Sequence, residues 1–139
     1  MTIHSYSENI QVANAFPAAA LTASTQSGAG VDTQANGGPF RRAALVVNLN
    51  TGAATTANYN LQDSPDNSTW TTVSGATLGT AQAASTSGVY IVNIDMAKRQ
   101  RYLRCQIIGT GTAGAASAEL HQFNGQYLAP TQLSTAQYV

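Results

Sequence analysis

Charged side chains are scarce in this sequence. Lys, Arg, Asp and Glu make up only 9% of its 139 residues, and six basic residues balance six acidic ones, so the formal net charge is zero. An average soluble domain carries roughly 25% charged residues, so Ser, Thr, Asn, Gln and Ala must form most of this surface. Because net charge normally keeps protein copies apart, such a surface repels other proteins weakly, and we expect it to pack against protein.

An excess of positive charge is also missing. A general nucleic-acid binder needs that excess, because affinity for the phosphate backbone is mostly electrostatic. Six basic residues offset by six acidic ones do not supply it. We therefore expect no nucleic-acid partner.

Cysteine and histidine, the usual ligands of structural metals, are nearly absent. The single cysteine, Cys105, cannot form an intrachain disulfide, and its place between Leu103 and Ile107 in an apolar alternation predicts a buried, inert thiol. His4 and His121 are too few to complete a metal site with it. The sequence also lacks HExxH, paired CxxC and GxSxG motifs. We therefore expect neither a metal, a cofactor nor an enzyme activity.

Long apolar runs are missing as well. No stretch approaches the roughly 18 residues needed to span a bilayer. The first residues, MTIHSYSENIQVANAF, have neither the cationic start nor the continuous apolar run of an ordinary signal peptide. We expect a protein that is made and used without crossing a membrane by those routes, and that has no membrane partner.

What the sequence does contain is alternation of period two, in short runs bounded by Gly, Asn, Asp, Ser or Pro. The clearest run is residues 41–49, RRAALVVNL, which directs Leu45, Val47 and Leu49 to one face. Further runs occur at 57–62, from 70 onward, at 88–94, 102–108 and 117–123, and more weakly at 30–33. This pattern predicts an all-β, single-domain antiparallel β-sandwich, of jelly-roll or immunoglobulin-like type.

The two ends of the chain stand outside this alternation. We predict an N-terminal arm over residues 1–15, a β-sandwich domain over 16–127 and a C-terminal tail over 128–139. Chain ends of this kind are commonly frayed. A purely solvating tail is normally more charged, however, so extended arms that order against a neighbouring protein are the alternative.

The stretch 62–73, QDSPDNSTWTTV, permits three interpretations. Its clustered oxygen ligands suggest calcium, but it lacks the spacing and the final glutamate of an EF-hand. Trp70 would stack on a sugar if it were exposed. The favoured interpretation is a strand, a turn and a second strand, with Asp63 and Asp66 capping turns and with Leu61 and Trp70 in the core.

The main cluster of charge is KRQRYLR at 98–104, with the pair Arg41 and Arg42 as a smaller companion. Strand geometry directs Arg104 outward and leaves Arg99 and Arg101 in the turn that enters the strand. Such charges can simply protect a sheet edge from pairing. Alternatively, these arginines contact acidic or carbonyl groups of a partner protein.

Several of these segments together resemble a known family. They are LTASTQSGAGVDT (21–33), ALVVNLNTGA (44–53), NLQDSPDNSTWTTV (60–73) and VNIDMAKRQRYLRCQIIGTGTAG (92–114). An early VDT, a hairpin of the form LQxSxDxSxWxxV and a later KRYLR strand are similar to those of capsid cement or decoration proteins of tailed bacteriophages. In this chain extra residues precede Tyr102. The resemblance covers roughly residues 21–114.

The resemblance implies a jelly-roll-like sandwich that forms a homotrimer on the capsid surface of the virion, with the major capsid protein as partner and no catalytic site. Extended arms would add strands or anchors across neighbouring subunits. The candidate interface residues are the arm anchors Ile3, Ile10 and Phe16 and the polar contacts Arg41, Arg42, Arg99 and Arg101. The alternative function is a carbohydrate- or host-binding module of a phage tail or baseplate.

Overall fold

The computed structural model describes residues 10–35, 38–124 and 136–139, and this part of the chain is almost entirely β-structure. Its strands are β1 Ile10–Ala20, β2 Thr25–Ser27, β3 Val31–Asp32, β4 Arg42–Thr51, β5 Ala57–Ser64, β6 Thr71–Thr77, β7 Ser87–Asp95, β8 Tyr102–Gly109, β9 Gly114–Phe123 and β10 Ala136–Tyr138. A short 3-10 helical turn, Met96–Lys98, precedes β8. The described residues form no helix that is long and apolar enough to cross a membrane.

The strands form two sheets that pack face to face. Sheet A has the order β1-β9-β4-β7-β10, and sheet B has the order β2-β8-β5-β6, with β3 also paired to β8. All pairings are antiparallel except that of β10, which runs parallel to β7. The prediction of an all-β antiparallel sandwich is therefore confirmed.

The core lies between the sheets and follows the predicted alternation. In β4, Leu45, Val47 and Leu49 are buried, while the residues between them are more exposed. Cys105 and Leu61 are also fully buried, on β8 and β5. Burial raises the pKa of the Cys105 thiol, which disfavours the reactive thiolate. The predicted inert cysteine is thus in the core.

The N-terminal strand β1 includes part of the segment predicted to be an arm. It pairs with β9 from Ile10 opposite Phe123 to Ala20 opposite Ala115. Two irregularities of register, on either side of Phe16, interrupt this pairing. Because such bulges break the period-two pattern, the alternation did not predict a strand here. Residues 10–15 belong to sheet A, and residues 1–9 lie outside the described part of the chain.

The C-terminal segment is described only at its end. Of the predicted tail, residues 136–138 form β10, and residues 128–135 lie outside the described part. The backbone N–H of Val139 donates to the carbonyl of Asn93, and the N–H of Asp95 donates to the carbonyl of Val139. The last described residue is therefore bound to β7.

The two ends of the sandwich differ in charge. One end, which we call the charged end, holds the loops that connect β3 to β4, β5 to β6 and β7 to β8. Every described charged residue except Arg104 and Glu119 lies in these loops or within two positions of them. The opposite, uncharged end holds loops 21–24, 52–56, 78–86 and 110–113, which contain no charged residue.

Candidate functional site: the charged end of the sandwich

Three separated sequence elements meet at the charged end. Leu103 of β8 lies opposite Val31 of the VDT element on one side and opposite Asp63 of the QDSPDNSTW element on the other. The KRQRYLR element supplies the turn before β8 and the first three residues of β8. We call Arg99, Arg101 and Arg104, which reach from this element to its two neighbours, the arginine cluster.

Arg101 is held by the VDT element. Its Nε donates to Asp32 Oδ1 at 3.0 Å and its Nη2 donates to Oδ2 at 2.7 Å, a two-pronged ion pair. These hydrogen bonds, together with one from the backbone N–H of Gln34, lower the pKa of Asp32. Thr33 donates its hydroxyl to the carbonyl of Arg101 at 2.6 Å. The planar guanidinium of Arg101 therefore already has its carboxylate within the domain.

Arg99 reaches the other neighbour of β8. Its Nη1 lies 3.5 Å from Asp63 Oδ2, and both side chains are largely buried, with 18% and 11% of their areas exposed. The backbone N–H of Gln100 donates to the same Asp63 oxygen at 3.3 Å. Asp63 therefore does not cap the turn that follows it, as the sequence predicted, but holds the turn that enters β8.

Asp66 caps its turn as predicted. Its Oδ1 accepts hydrogen bonds from the backbone N–H groups of Ser68, at 2.9 Å, and Thr69, at 2.7 Å, and from the hydroxyl of Ser64. Its Oδ2 accepts from the Thr69 hydroxyl. Both carboxylate oxygens of Asp66 thus accept hydrogen bonds from groups within the turn. Within the described ranges, no three His, Cys, Asp or Glu side chains come close enough together to hold a metal ion.

The Asp66 turn should make stability depend on pH. Backbone hydrogen bonds hold the pKa of Asp66 well below its ordinary value. A carboxylate whose pKa is lower in the folded than in the unfolded protein stabilises the fold at pH values above its unfolded pKa, near 3.8. This stabilisation is lost as the pH falls through the lower pKa of the folded state. We expect Asp66→Asn to lower the melting temperature by a similar few degrees at pH 5 and pH 7, and by less below pH 4.

Thermal melts of wild type and Asp66→Asn between pH 2.5 and 7 measure this difference. Asp95 offers a matched control, because its carboxylate accepts only one backbone N–H, that of Ala97, in a similarly exposed position. A gap between wild type and Asp66→Asn that stays constant down to pH 2.5 would contradict the role assigned to the Asp66 carboxylate.

Arg104 differs from the other two arginines because no carboxylate among the described residues pairs with it. Its guanidinium carbon lies 4.2 Å from the centre of the Trp70 ring, and its Nε donates to Gln62 Oε1 at 2.9 Å. Gln62 in turn donates its Nε2 to Thr72 Oγ1 at 3.2 Å. Partial burial lowers the pKa of Arg104. The row Trp70, Arg104, Gln62 and Thr72 crosses the outer face of sheet B.

The position of Trp70 corrects one prediction. Leu61 is in the core as expected, but Trp70 is only half-buried and lies outside the core, on the same face as the outward Arg104. One face of its ring is covered by the guanidinium. Carbohydrate sites bind sugars by stacking them on open aromatic faces. Because Arg104 covers one face of the Trp70 ring, that face is not open to a sugar.

The remaining predicted interface residues differ in their burial. Arg41 and Arg42 are exposed at the start of β4, on the other sheet from Arg104. Ile10 is half-buried as the first residue of β1, and Phe16 is 4% exposed within the core. Ile3 lies outside the described residues. The structure thus places Arg41, Arg42, Arg99 and Arg101 at the charged end, whereas Phe16 lies in the core.

The uncharged end is held together by amides and hydroxyls. Gln82 donates to the carbonyls of Leu49 and Thr86, both at 3.0 Å, and accepts a hydrogen bond from the Tyr90 hydroxyl at 2.8 Å. Thr51 donates to the carbonyl of Ala83 at 2.6 Å. These internal bonds fix the loops without using a charge, and they leave a surface of Ala, Thr, Ser and Gly.

Comparisons with known proteins bear on the fold. No protein-family model matches the sequence, and no curated protein matches it either. The crystal structure of the PBSX exported protein XepA matches with a TM-score of 0.58 and 16% identity, over 96% of this chain and 43% of that one. The chain therefore spans less than half the length of XepA.

A structure of Bacillus endospore appendages, described as a novel family of disulfide-linked pili, matches with a TM-score of 0.45 and 12% identity. That match covers 90% of this chain and 98% of the other. It is too distant to support an argument. The XepA match, at its low identity, concerns the fold alone: this chain is a β-sandwich similar in architecture to part of the PBSX exported protein XepA.

Proposed function

We propose that this chain is a non-enzymatic virion protein of a tailed bacteriophage, which binds the outside of the capsid shell and stabilises contacts between capsomers. The observation that carries the proposal is the meeting of the VDT, QDSPDNSTW and KRQRYLR elements around Leu103. Short motifs that resemble a family only by chance are not expected to contact one another in the folded domain. Three that contact one another through specific ion pairs behave as the frame of one kind of domain.

The distribution of charge agrees with this function. A cement protein must bury part of its surface against the shell, and burying an unpaired charge there is costly. The uncharged end carries no charge to desolvate, and its small side chains lose little entropy when they are pinned in a contact. The charged end carries exposed charges, such as Arg41, Arg42 and Lys98, whose burial against the shell would be more costly.

Modest affinity per copy is sufficient for such a protein. If the domain is a homotrimer, as the resemblance implies, three weak contacts act together and attachment becomes multivalent. The first residues of the chain are the proposed arm, and the described part of β1 begins at Ile10. The alternative of a sugar-binding tail module has less support, because Arg104 covers one face of Trp70.

Truncation of the N-terminal segment tests the arm. Deleting residues 1–9 leaves β1 complete, so we expect an unchanged melting temperature and at least about tenfold weaker binding to capsids that lack the protein. Deleting residues 1–16 also removes Ala15 and Phe16 from the core and should unfold the domain. Co-sedimentation with capsids measures the first effect. Undiminished binding by the shorter truncation would contradict the arm mechanism.

A further inference from the structure

Arg104 is a cation that the fold immobilises without neutralising it. The contact with the Trp70 ring and the hydrogen bond from Nε to Gln62 together restrain the guanidinium. Gln62 is 8% exposed and is itself oriented by Thr72. A flexible surface arginine would lose entropy on binding a ligand, whereas this one has already lost it in folding.

The terminal nitrogens of Arg104 remain available for binding. Among the described residues, its only hydrogen bond is the one that Nε donates to a neutral amide oxygen. The nearby acids have other partners, since Asp32 binds Arg101 and Asp63 binds Arg99. The outer face around Arg104 carries amides and hydroxyls, from Asn60, Gln62, Thr72 and Gln106. Within the described part of the chain, no acidic side chain therefore compensates this positive charge.

We propose that Arg104, supported by Trp70 and Gln62, is the binding site for a carboxylate side chain, Asp or Glu, of a partner protein. The two terminal guanidinium nitrogens form a planar fork that fits a carboxylate with two parallel hydrogen bonds. The contact with Trp70 uses none of the hydrogen-bond donors of the guanidinium, so this fork can still donate to a ligand.

Other anions fit this site less well. A phosphate ester in a nucleic acid comes with a line of neighbouring charges, whereas Arg104 is a single cation on a face that otherwise carries amides and hydroxyls and so offers no row of partners for such a chain. An acidic sugar needs an open aromatic face as well as a cation, and Arg104 covers one face of Trp70. The carboxylate site stands whether or not the partner is a capsid subunit.

Binding of short peptides tests this site in the intact protein. Trp70 is the only tryptophan, so its fluorescence reports on the site directly, and the Nε–H signal of Arg104 in a nitrogen-15 NMR spectrum reports on the guanidinium. We expect the blocked peptide acetyl-Gly-Glu-Gly-amide, in low salt, to shift both signals saturably, with a dissociation constant on the order of 10 mM. The matching glutamine peptide should bind at least about tenfold more weakly.

Variants separate this site from non-specific charge effects. Arg104→Gln should abolish the response to the glutamate peptide, and Arg104→Lys, which keeps the charge but not the fork, should weaken it severalfold. Arg42→Gln removes an exposed arginine on the other sheet and should leave the response unchanged. Unchanged melting temperatures would confirm that the variants remain folded.

Three results would overturn the proposal. The first is an equal response to the glutamate and glutamine peptides. The second is a stronger response to inorganic phosphate than to the glutamate peptide at equal ionic strength. The third is a glutamate response that survives in Arg104→Gln.

Discussion

Replacing Phe16 with alanine is expected to lower the free energy of unfolding of the purified protein by about 3–4 kcal/mol. The Phe16 side chain is only 4% exposed and belongs to the core between the two sheets. Removing the ring deletes buried apolar area and leaves a cavity, and the two costs add. Chemical denaturation monitored by circular dichroism measures the change.

The result distinguishes two roles for this residue. As an arm anchor, Phe16 would contribute to capsid attachment and leave the free domain as stable as the wild type. Val12 on the same strand provides the control, because it is 47% exposed and its replacement by alanine should change stability by less than about 0.5 kcal/mol. A Phe16→Ala protein as stable as Val12→Ala would contradict the place of β1 in the domain.

Replacing Asp63 with alanine should lower the free energy of unfolding by about 2–3 kcal/mol. The change leaves Arg99 as a largely buried cation without an acid and removes the acceptor of the Gln100 N–H group. The Nε of Arg99 is already buried without a hydrogen-bond partner, so its desolvation is not otherwise compensated. Urea unfolding at neutral pH measures the loss.

A double-mutant cycle that combines Asp63→Ala with Arg99→Met measures the interaction energy between the two side chains. Methionine keeps apolar volume but removes the charge, so the double variant should recover part of the loss, with a coupling of about 1–2 kcal/mol. Asp32→Ala is the matched control, since it breaks the more exposed pair with Arg101 and should cost less. A loss for Asp63→Ala no greater than that for Asp32→Ala would contradict the importance given to the buried pair.

The sequence predicted the strands whose alternation is regular. β4 and β8 were predicted within a few residues because each places every second side chain in the core. β1 was missed because its bulges around Phe16 shift the alternation midway. Contacts between backbone segments that are far apart in the sequence could not be predicted either. Gly28 lies so close to the carbonyl of Ala15 that only glycine fits, yet nothing near Gly28 in the sequence points to β1.

The candidate site was predictable in its parts but not in its arrangement. The outward direction of Arg104 follows from the period of β8, and the Asp66 turn follows from its local sequence. The partners of Arg99, Arg101 and Arg104 depend on which strands flank β8, and a single sequence does not contain that register. The same limit explains the error for Trp70, whose ring contacts a residue on a strand distant in sequence.

The location of the protein in a phage lysate tests the proposed function most directly. If a tailed phage encodes this chain, as proposed, its heads and tails can be separated on a density gradient and the protein detected in each fraction by mass spectrometry. The proposed function predicts that it accompanies intact heads in a fixed ratio to the major capsid protein. Recovery with tails, or only as free protein, would contradict a role in stabilising the capsid.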